Sequence, residues 1–251
     1  MAEIVGIIPA RYDSTRLPGK LLLDIAGKSV LERTWLRACK TKTINRVVIA
    51  SGDEKITEAS NLFGAEVVEC YGSFATGSDR IAFAIERLYP GSEKPDIVVN
   101  IQGDEPLLNP ETVDLVVKRL LNDAESGVST AITRINTVAE YLDTAAVKVV
   151  VDSEQRALYF SRSPIPAGWE IGANLAYRHI GLYVYRLQVL LDYVKTPQSE
   201  LEKLERLEQL RLLYNGTKIA TVLVDEIGIG IDTKKDLDSV RKIIERYSVV
   251  D

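Results

Sequence analysis

Histidine and cysteine are nearly missing from this chain: among 251 residues there is one histidine, His179, and two cysteines, Cys39 and Cys70. Two cysteines cannot build a disulfide framework or a four-cysteine zinc site. A single histidine excludes every His-x-x-x-His metal motif. A metal, if one is used, must be held by carboxylates, which points to Mg²⁺ or another hard cation. An excess of positive charge is also lacking, since 31 Lys and Arg stand against 36 Asp and Glu for a formal net charge of −5. That balance disfavours nonspecific binding to nucleic acid. No apolar run reaches the ~18 residues of a membrane span. The N-terminus passes directly into Glu3-Ile4-Val5-Gly6-Ile7-Ile8, without the basic segment and small-residue cleavage site of a signal peptide, so the expected compartment is the cytoplasm. There is no internal repeat, no low-complexity tract and no break in composition that marks a linker. What is present, 46% hydrophobic and 27% charged residues, is ordinary globular composition. We expect a single domain over residues 1–251, with 147–216 as an elaborated subregion.

Over the first half, apolar runs alternate with helical spacing. Ile4–Ile8, Arg46–Ala50, Glu66–Glu69 and Asp96–Gln102 read as strands. Between them fall helices at Leu31–Ala38, from about Asp53 to a stop at Gly64, from a Ser78 cap through Ile81, Ile85 and Leu88, and after Pro110. Strand–helix alternation with continuously apolar strands predicts an α/β fold: a mixed, mostly parallel, Rossmann-like sheet covered by helices on both faces. Ligands of such sheets bind beyond the carboxyl ends of the strands, here the loops after Ile8, Ala50 and Gln102. In the second half, Val147–Val151 and Ala157–Phe160 predict a hairpin around Asp152-Ser153-Glu154-Gln155. A loop with Pro164, Pro166, Gly168 and Gly172 covers 161–176. A strand follows at Tyr177–Arg186, then one charged helix from Ser199 to Tyr214 with Leu201, Leu204, Leu207 and Leu210 on a stripe, a strand at Lys218–Val224 and a last helix at Lys234–Tyr247.

The loop Pro9-Ala10-Arg11-Tyr12-Asp13-Ser14-Thr15-Arg16-Leu17-Pro18-Gly19-Lys20 sets three cations against one Asp. It is either a phosphate cradle or a solvated basic loop, and it is not a Walker loop, because Leu21 follows Lys20 where Ser or Thr is needed. Asp104, in Gln102-Gly103-Asp104-Glu105-Pro106, stands where a strand-end carboxylate can reach a phosphate-bound metal, or simply marks an acidic turn. Asp232, in Gly230-Ile231-Asp232-Thr233, reads by itself as a cap of the last helix. In Thr76-Gly77-Ser78-Asp79-Arg80, a helix start offers free backbone donors. His179 shares a strand face with Gly181 and Tyr183. Glu208-Gln209 reads as helix surface.

Taken together and in order, Pro9–Lys20, Gln102–Pro106, Ala157-Leu158-Tyr159-Phe160-Ser161-Arg162-Ser163-Pro164-Ile165-Pro166, Arg178–Tyr183, Leu207-Glu208-Gln209-Leu210-Arg211 and Ile231-Asp232-Thr233 resemble the 3-deoxy-manno-octulosonate (Kdo) cytidylyltransferases, from about residue 4 to about residue 245. The resemblance implies the nucleotide-diphospho-sugar transferase type of fold. It also implies transfer of CMP from CTP to Kdo, with release of pyrophosphate, for lipopolysaccharide assembly. It assigns Arg11 and Lys20 to the triphosphate, with Arg16 assisting, and Asp104 and Asp232 to Mg²⁺; Arg11, Lys20, Asp104 and Asp232 form the implied catalytic set. Ala10, Ser78, Arg80 and Gln102 fall on the nucleotide side, and Arg162, His179, Tyr183, Glu208 and Gln209 on the sugar-acid side. A homodimer is implied as well. A short loop at 167–176 leaves an 8-amino analogue of Kdo open as the acceptor, next to a nonulosonate. A catalytically silent nucleotide-binding protein on the same fold is the reading from another class.

Overall fold

The computed structural model describes residues 2–91, 93–168, 175–225 and 228–247. Gly172, predicted as part of the 161–176 loop, lies outside them. The chain forms two compact units, Met1–Asp114 with Gly228–Asp251, and Leu115–Ile227. The 147–216 subregion falls wholly within the second.

The first unit begins with β1 (Ile4–Pro9), followed by the short pair β2 (Asp24–Ile25) and β3 (Lys28–Ser29). Ala26 (φ 50°) and Gly27 (φ 84°) both take left-handed backbone between them, as a two-residue hairpin turn demands. Next come α1 (Val30–Ala38), β4 (Arg46–Ser51), α2 (Glu54–Leu62), β5 (Glu66–Glu69), α3 (Gly77–Leu88), β6 (Ile97–Asn100) and α4 (Pro110–Leu121), within which the second unit begins. β6, β1, β4 and β5 lie side by side in that order, all parallel, with Ile7 opposite both Val48 and Asn100. Val5, Ile7, Ile8, Val48, Ile49, Val98 and Val99 are fully buried, as strands covered on both faces require. Each helix start follows from its cap. Ser29 Oγ accepts from Glu32 N–H, and Asp53 accepts from the N–H groups of Lys55 and Ile56. α3 corrects the expected Ser78 cap: Thr76 and Asp79 bond reciprocally in a capping box, and Ser78 is buried inside the first turn. The physical reason is spacing, because Thr76 has an acid three residues on and Ser78 does not.

The second unit holds β7 (Val128–Arg134), α5 (Val138–Leu142), β8 (Lys148–Val151), β9 (Ala157–Ser161), β10 (Tyr177–Arg186), α6 (Leu187–Lys195), α7 (Glu200–Glu205), α8 (Gln209–Tyr214) and β11 (Ile219–Leu223). β11 runs parallel to β7; the β7–β10, β10–β8 and β8–β9 pairs are antiparallel. The expected hairpin is β8–β9, and Asp152 Oδ1 closes its turn by accepting from Glu154 and Arg156 N–H, each at 2.8 Å. One helix was expected over Ser199–Tyr214; two form. Arg206 enters the left-handed region (φ 55°, ψ 48°) and ends α7. The chain can then fold back, so that Arg211 on α8 reaches the Glu202 carboxylate of α7 with two N–H groups, at 2.7 and 2.6 Å. The last helix, α9 (Lys234–Tyr247), belongs to the first unit.

Candidate active site

In the first unit, four predicted residues meet beyond the carboxyl ends of β1 and β6. Lys20 forms an ion pair with Asp104, and its Nζ lies 3.0 Å from Asp232 Oδ1. Arg16 Nη2 approaches the same Asp232 oxygen at 2.9 Å. Backbone bonds bring these distant segments together. Ile231 N–H donates to Asp104 O at 2.9 Å, which lays residues 230–232 against the loop after β6. Gly103 is held as closely: its carbonyl accepts from Thr34 Oγ1 at 3.1 Å, and a Cβ there would meet Ile8 Cγ2 at 3.3 Å.

Asp232 does not cap α9. Thr233 Oγ1 accepts from Asp236 N–H, and Asp236 Oδ2 in turn accepts from the N–H groups of Asp232 and Thr233. The Thr233-x-x-Asp236 spacing of that cap is readable in the sequence, and the carboxylate of Asp232 is thereby left to face Lys20. Burial opposes the charge on Lys20, but Asp104 and Asp232 outweigh it and hold the amine above its ordinary value. The ammonium therefore stays charged at neutral pH and compensates both carboxylates.

The remaining residues assigned to the nucleotide have contacts of their own. Ala10 is buried and donates its N–H to Ala50 O at 2.9 Å. Gln102 Nε2 lies 3.5 Å from Asn100 Oδ1. Arg80 rests on the Phe74 ring, 4.9 Å from its centroid, and reaches Cys70 O at 3.5 Å. Burial first, and then repulsion that includes Arg11, lower its pKa. Two guanidinium groups that repel each other beside a strand end make a region that favours an anion. Arg11 itself is exposed.

The five residues assigned to the sugar acid all lie in the second unit. Aromatic contacts link two of them, and a hydrogen bond extends the chain to a third. His179 sits edge-on to Phe160 at 5.0 Å and 5.2 Å from Tyr183; Tyr183 stacks on Tyr185, and Tyr185 on Tyr193. Tyr193 Oη then donates to Glu208 Oε2 at 3.4 Å. Gln209 is buried at the start of α8. Arg162 has a different setting: its guanidinium donates to the carbonyls of Glu205, Thr144 and Arg206 at 2.9, 3.0 and 3.5 Å. It is thereby tied to the bend between α7 and α8. Glu205, which the sequence reading passed over, completes that tie by accepting from Ser161 Oγ and Arg162 N–H.

Thr130 Oγ1 lies 2.7 Å from Leu182 O and 3.0 Å from His179 Nε2. A hydroxyl has one proton, so with that proton given to Leu182 the imidazole must donate from Nε2. Burial pushes the His179 pKa down to about 3. The ring is therefore neutral when folded, and below the unfolded value near 6.5 only the unfolded chain takes up the proton. This contribution to stability is complete above pH 6.5 and is lost as pH falls toward 3, about 2 kcal/mol of it by pH 5. His179 is the one histidine, so its C2–H resonance can be followed without ambiguity. It is expected to hold a constant shift from pH 8 to 5; a titration midpoint near 6.5 would show a hydrated ring instead.

Parallel strands ending in basic and acidic loops are the setting of a nucleotidyl-transfer site, and comparison with known proteins agrees with that class. A cytidylyltransferase family model matches residues 5–219. Among curated relatives, 3-deoxy-manno-octulosonate cytidylyltransferase of Geobacter metallireducens is 40% identical over 258 residues, covering 98% of this chain and 100% of the relative. The enzyme of that name from Francisella tularensis subsp. holarctica is 42% identical over 250 residues, covering 97% and 99%. A solved structure of CMP:2-keto-3-deoxy-manno-octonic acid synthetase complexed with CTP superposes with a TM-score of 0.92 at 36% identity, covering 98% of this chain and 100% of that one. The chain belongs to the 3-deoxy-manno-octulosonate cytidylyltransferase family.

Proposed function

We propose that this chain couples CTP to 3-deoxy-manno-octulosonate, giving CMP-Kdo and pyrophosphate for lipopolysaccharide assembly. The observation that carries the reading is the meeting of Lys20, Arg16, Asp104 and Asp232 beyond β1 and β6, in a chain of this family. The anomeric hydroxyl oxygen of the sugar acid bonds to the α-phosphorus of CTP. The bond from that phosphorus to the oxygen bridging to the β-phosphate breaks in line, pyrophosphate leaves with the electron pair, and the hydroxyl proton passes to solvent. Such a transfer needs alignment and charge neutralisation more than a protein nucleophile. Arg11, Arg16 and Lys20 supply cations to the phosphates, Lys20 as a point charge and the arginines through paired N–H donors. Ala10, Ser78, Arg80 and Gln102 take the nucleoside side. His179, whose Nδ1 is left as an acceptor once Nε2–H is given to Thr130, Tyr183, Glu208 and Gln209 suit sugar hydroxyls, and the charge of Arg162 suits the acid group.

Mg²⁺ is part of the proposal. The donor set fits it: Asp104 and Asp232 offer hard oxygens that converge on one point, now marked by the Lys20 ammonium. Two carboxylates suit a hard cation whose remaining positions are filled by phosphate and water. When bound, the ion would shield phosphate charge and acidify the attacking hydroxyl. We also assign the enzyme to the cytoplasm as a homodimer, with no nucleic-acid or membrane partner. Among the described residues no helix is long and apolar enough to cross a membrane.

Pyrophosphate release from CTP, measured with and without Kdo and Mg²⁺, tests the reading. Release is expected only when all three are present. Release with the 8-amino analogue or a nonulosonate but not with Kdo would move the activity to that acceptor. Bound CTP with no release from any acceptor would leave only a nucleotide binder.

A further inference from the structure

Tyr12 lies within the basic loop, between Arg11 and the segment leading to Arg16 and Lys20. Its ring, partly buried, has a neighbour on each of two segments. The Lys55 ammonium, on α2, stands 4.2 Å from the ring centroid, a distance at which the ring quadrupole attracts a cation. Gly19 rests against the ring edge: a Cβ added there would lie 3.2 Å from Tyr12 Cε2, Cζ and Oη. The backbone closes the same circuit, since Gly19 N–H donates to Tyr12 O at 3.3 Å. Gly19 also takes φ +65°, so glycine alone supplies both the turn and the room. The residue after it is Lys20, and Leu22 N–H donates back to Gly19 O at 2.9 Å to begin the short 3₁₀ turn Lys20–Leu22. Where Gly19 rests on Tyr12 thus sets where the Lys20 side chain starts.

We propose that Tyr12 is a positioning residue for this loop: held between Lys55 and Gly19, it closes residues 12–19 and aims Lys20 toward Asp104 and Asp232. It touches no substrate and acts through Lys20. The inference deepens the proposed CTP site and rests on it for its effect on turnover, although not for its effect on the loop. A loop ordered before binding loses less freedom when the triphosphate arrives. Its loosening should therefore appear in the KM for CTP more than in kcat.

The test compares Tyr12→Ala, Tyr12→Phe, Lys55→Met and the double variant Tyr12→Ala/Lys55→Met. Two readouts are taken, the KM and kcat of pyrophosphate release and amide hydrogen exchange across residues 12–22 without substrate. For Tyr12→Ala the expected result is about a tenfold higher KM for CTP, kcat within about threefold, and about tenfold faster exchange at Gly19 and Leu22. Tyr12→Phe keeps the ring and restores both. Lys55→Met gives a smaller change that adds nothing in the Tyr12→Ala background, because the two act as one unit. Unaltered exchange at Gly19 and Leu22 in Tyr12→Ala overturns the proposal, and so does full additivity of the two substitutions. Faster exchange in a chain that never releases pyrophosphate would sink the CTP reading while supporting the clamp.

Discussion

Asp104→Asn is expected to lower the turnover of CTP and sugar acid on the order of 10³-fold, the scale of losing one charge-stabilising group at a transition state. Its side chain is 24% exposed and paired with Lys20, so the question is whether such a loss would reflect chemistry or collapse. The geometry separates them. Lys20 keeps Asp232 at 3.0 Å after the change, and a partly exposed ion pair contributes about 1 kcal/mol at most. In a chain of this size that is a shift of roughly 2–4 °C in Tm. Ile231 N–H still has the Asp104 backbone carbonyl to bond, because the substitution spares it. Rate loss with a nearly constant Tm is therefore the expected pair of results. Turnover within a factor of ten of the unsubstituted protein would remove Asp104 from the proposed metal site, and a Tm fall above 10 °C would make it a structural residue instead.

The strands that carry this site were legible because nothing else looks like them. Ile4–Ile8 and Ile97–Val99 are continuous apolar runs, and both are buried along their length. β7 escaped notice for the opposite reason. Ser129, Thr130 and Thr133 are polar in composition and buried in fact. Ser129 donates to Val116 O at 2.7 Å and Thr130 to Leu182 O at 2.7 Å, so their hydroxyls are satisfied inside the unit. No periodicity rule anticipates partners that far along the chain. Asp232 read as a helix cap because caps are local, and it took the family resemblance to move it. What settles its orientation is a tertiary bond, from Ile231 N–H to Asp104 O, together with the rival cap formed by Thr233 and Asp236. The leucine stripe of 199–214 misled in a third way. Leu207 and Leu210 are buried while Leu204 is 79% exposed, because the left-handed Arg206 turns the chain between them. A non-glycine residue in that region has no signature in composition.

That turn depends on Glu202, and Glu202→Gln is expected to cost about 3–5 kcal/mol of stability, or roughly 10 °C in Tm. Glu202 and Arg211 are 4% and 6% exposed. They join through two parallel hydrogen bonds, at 2.7 and 2.6 Å, and the rest of the guanidinium is equally committed. Arg211 Nη1 donates to Thr196 O at 3.1 Å, and the group lies 4.5 Å from the Tyr193 ring centroid. Neutralising Glu202 leaves a buried cation with carbonyls and a ring face for company. Desolvation is then uncompensated, which is the expensive half of any buried ion pair. The pair itself need not be worth much against apolar packing, and this yields a sharper test. Glu202→Met/Arg211→Met removes both charges and should lose less stability than Glu202→Gln alone, as denaturant unfolding of the two variants would show. A double variant that is the weaker of the two would mean the charges were net stabilising. α8 begins at Gln209, with Glu208 just before it, at the far side of the same turn. Glu202→Gln should accordingly raise the KM for the sugar acid more than that for CTP, whose proposed ligands lie in the other unit.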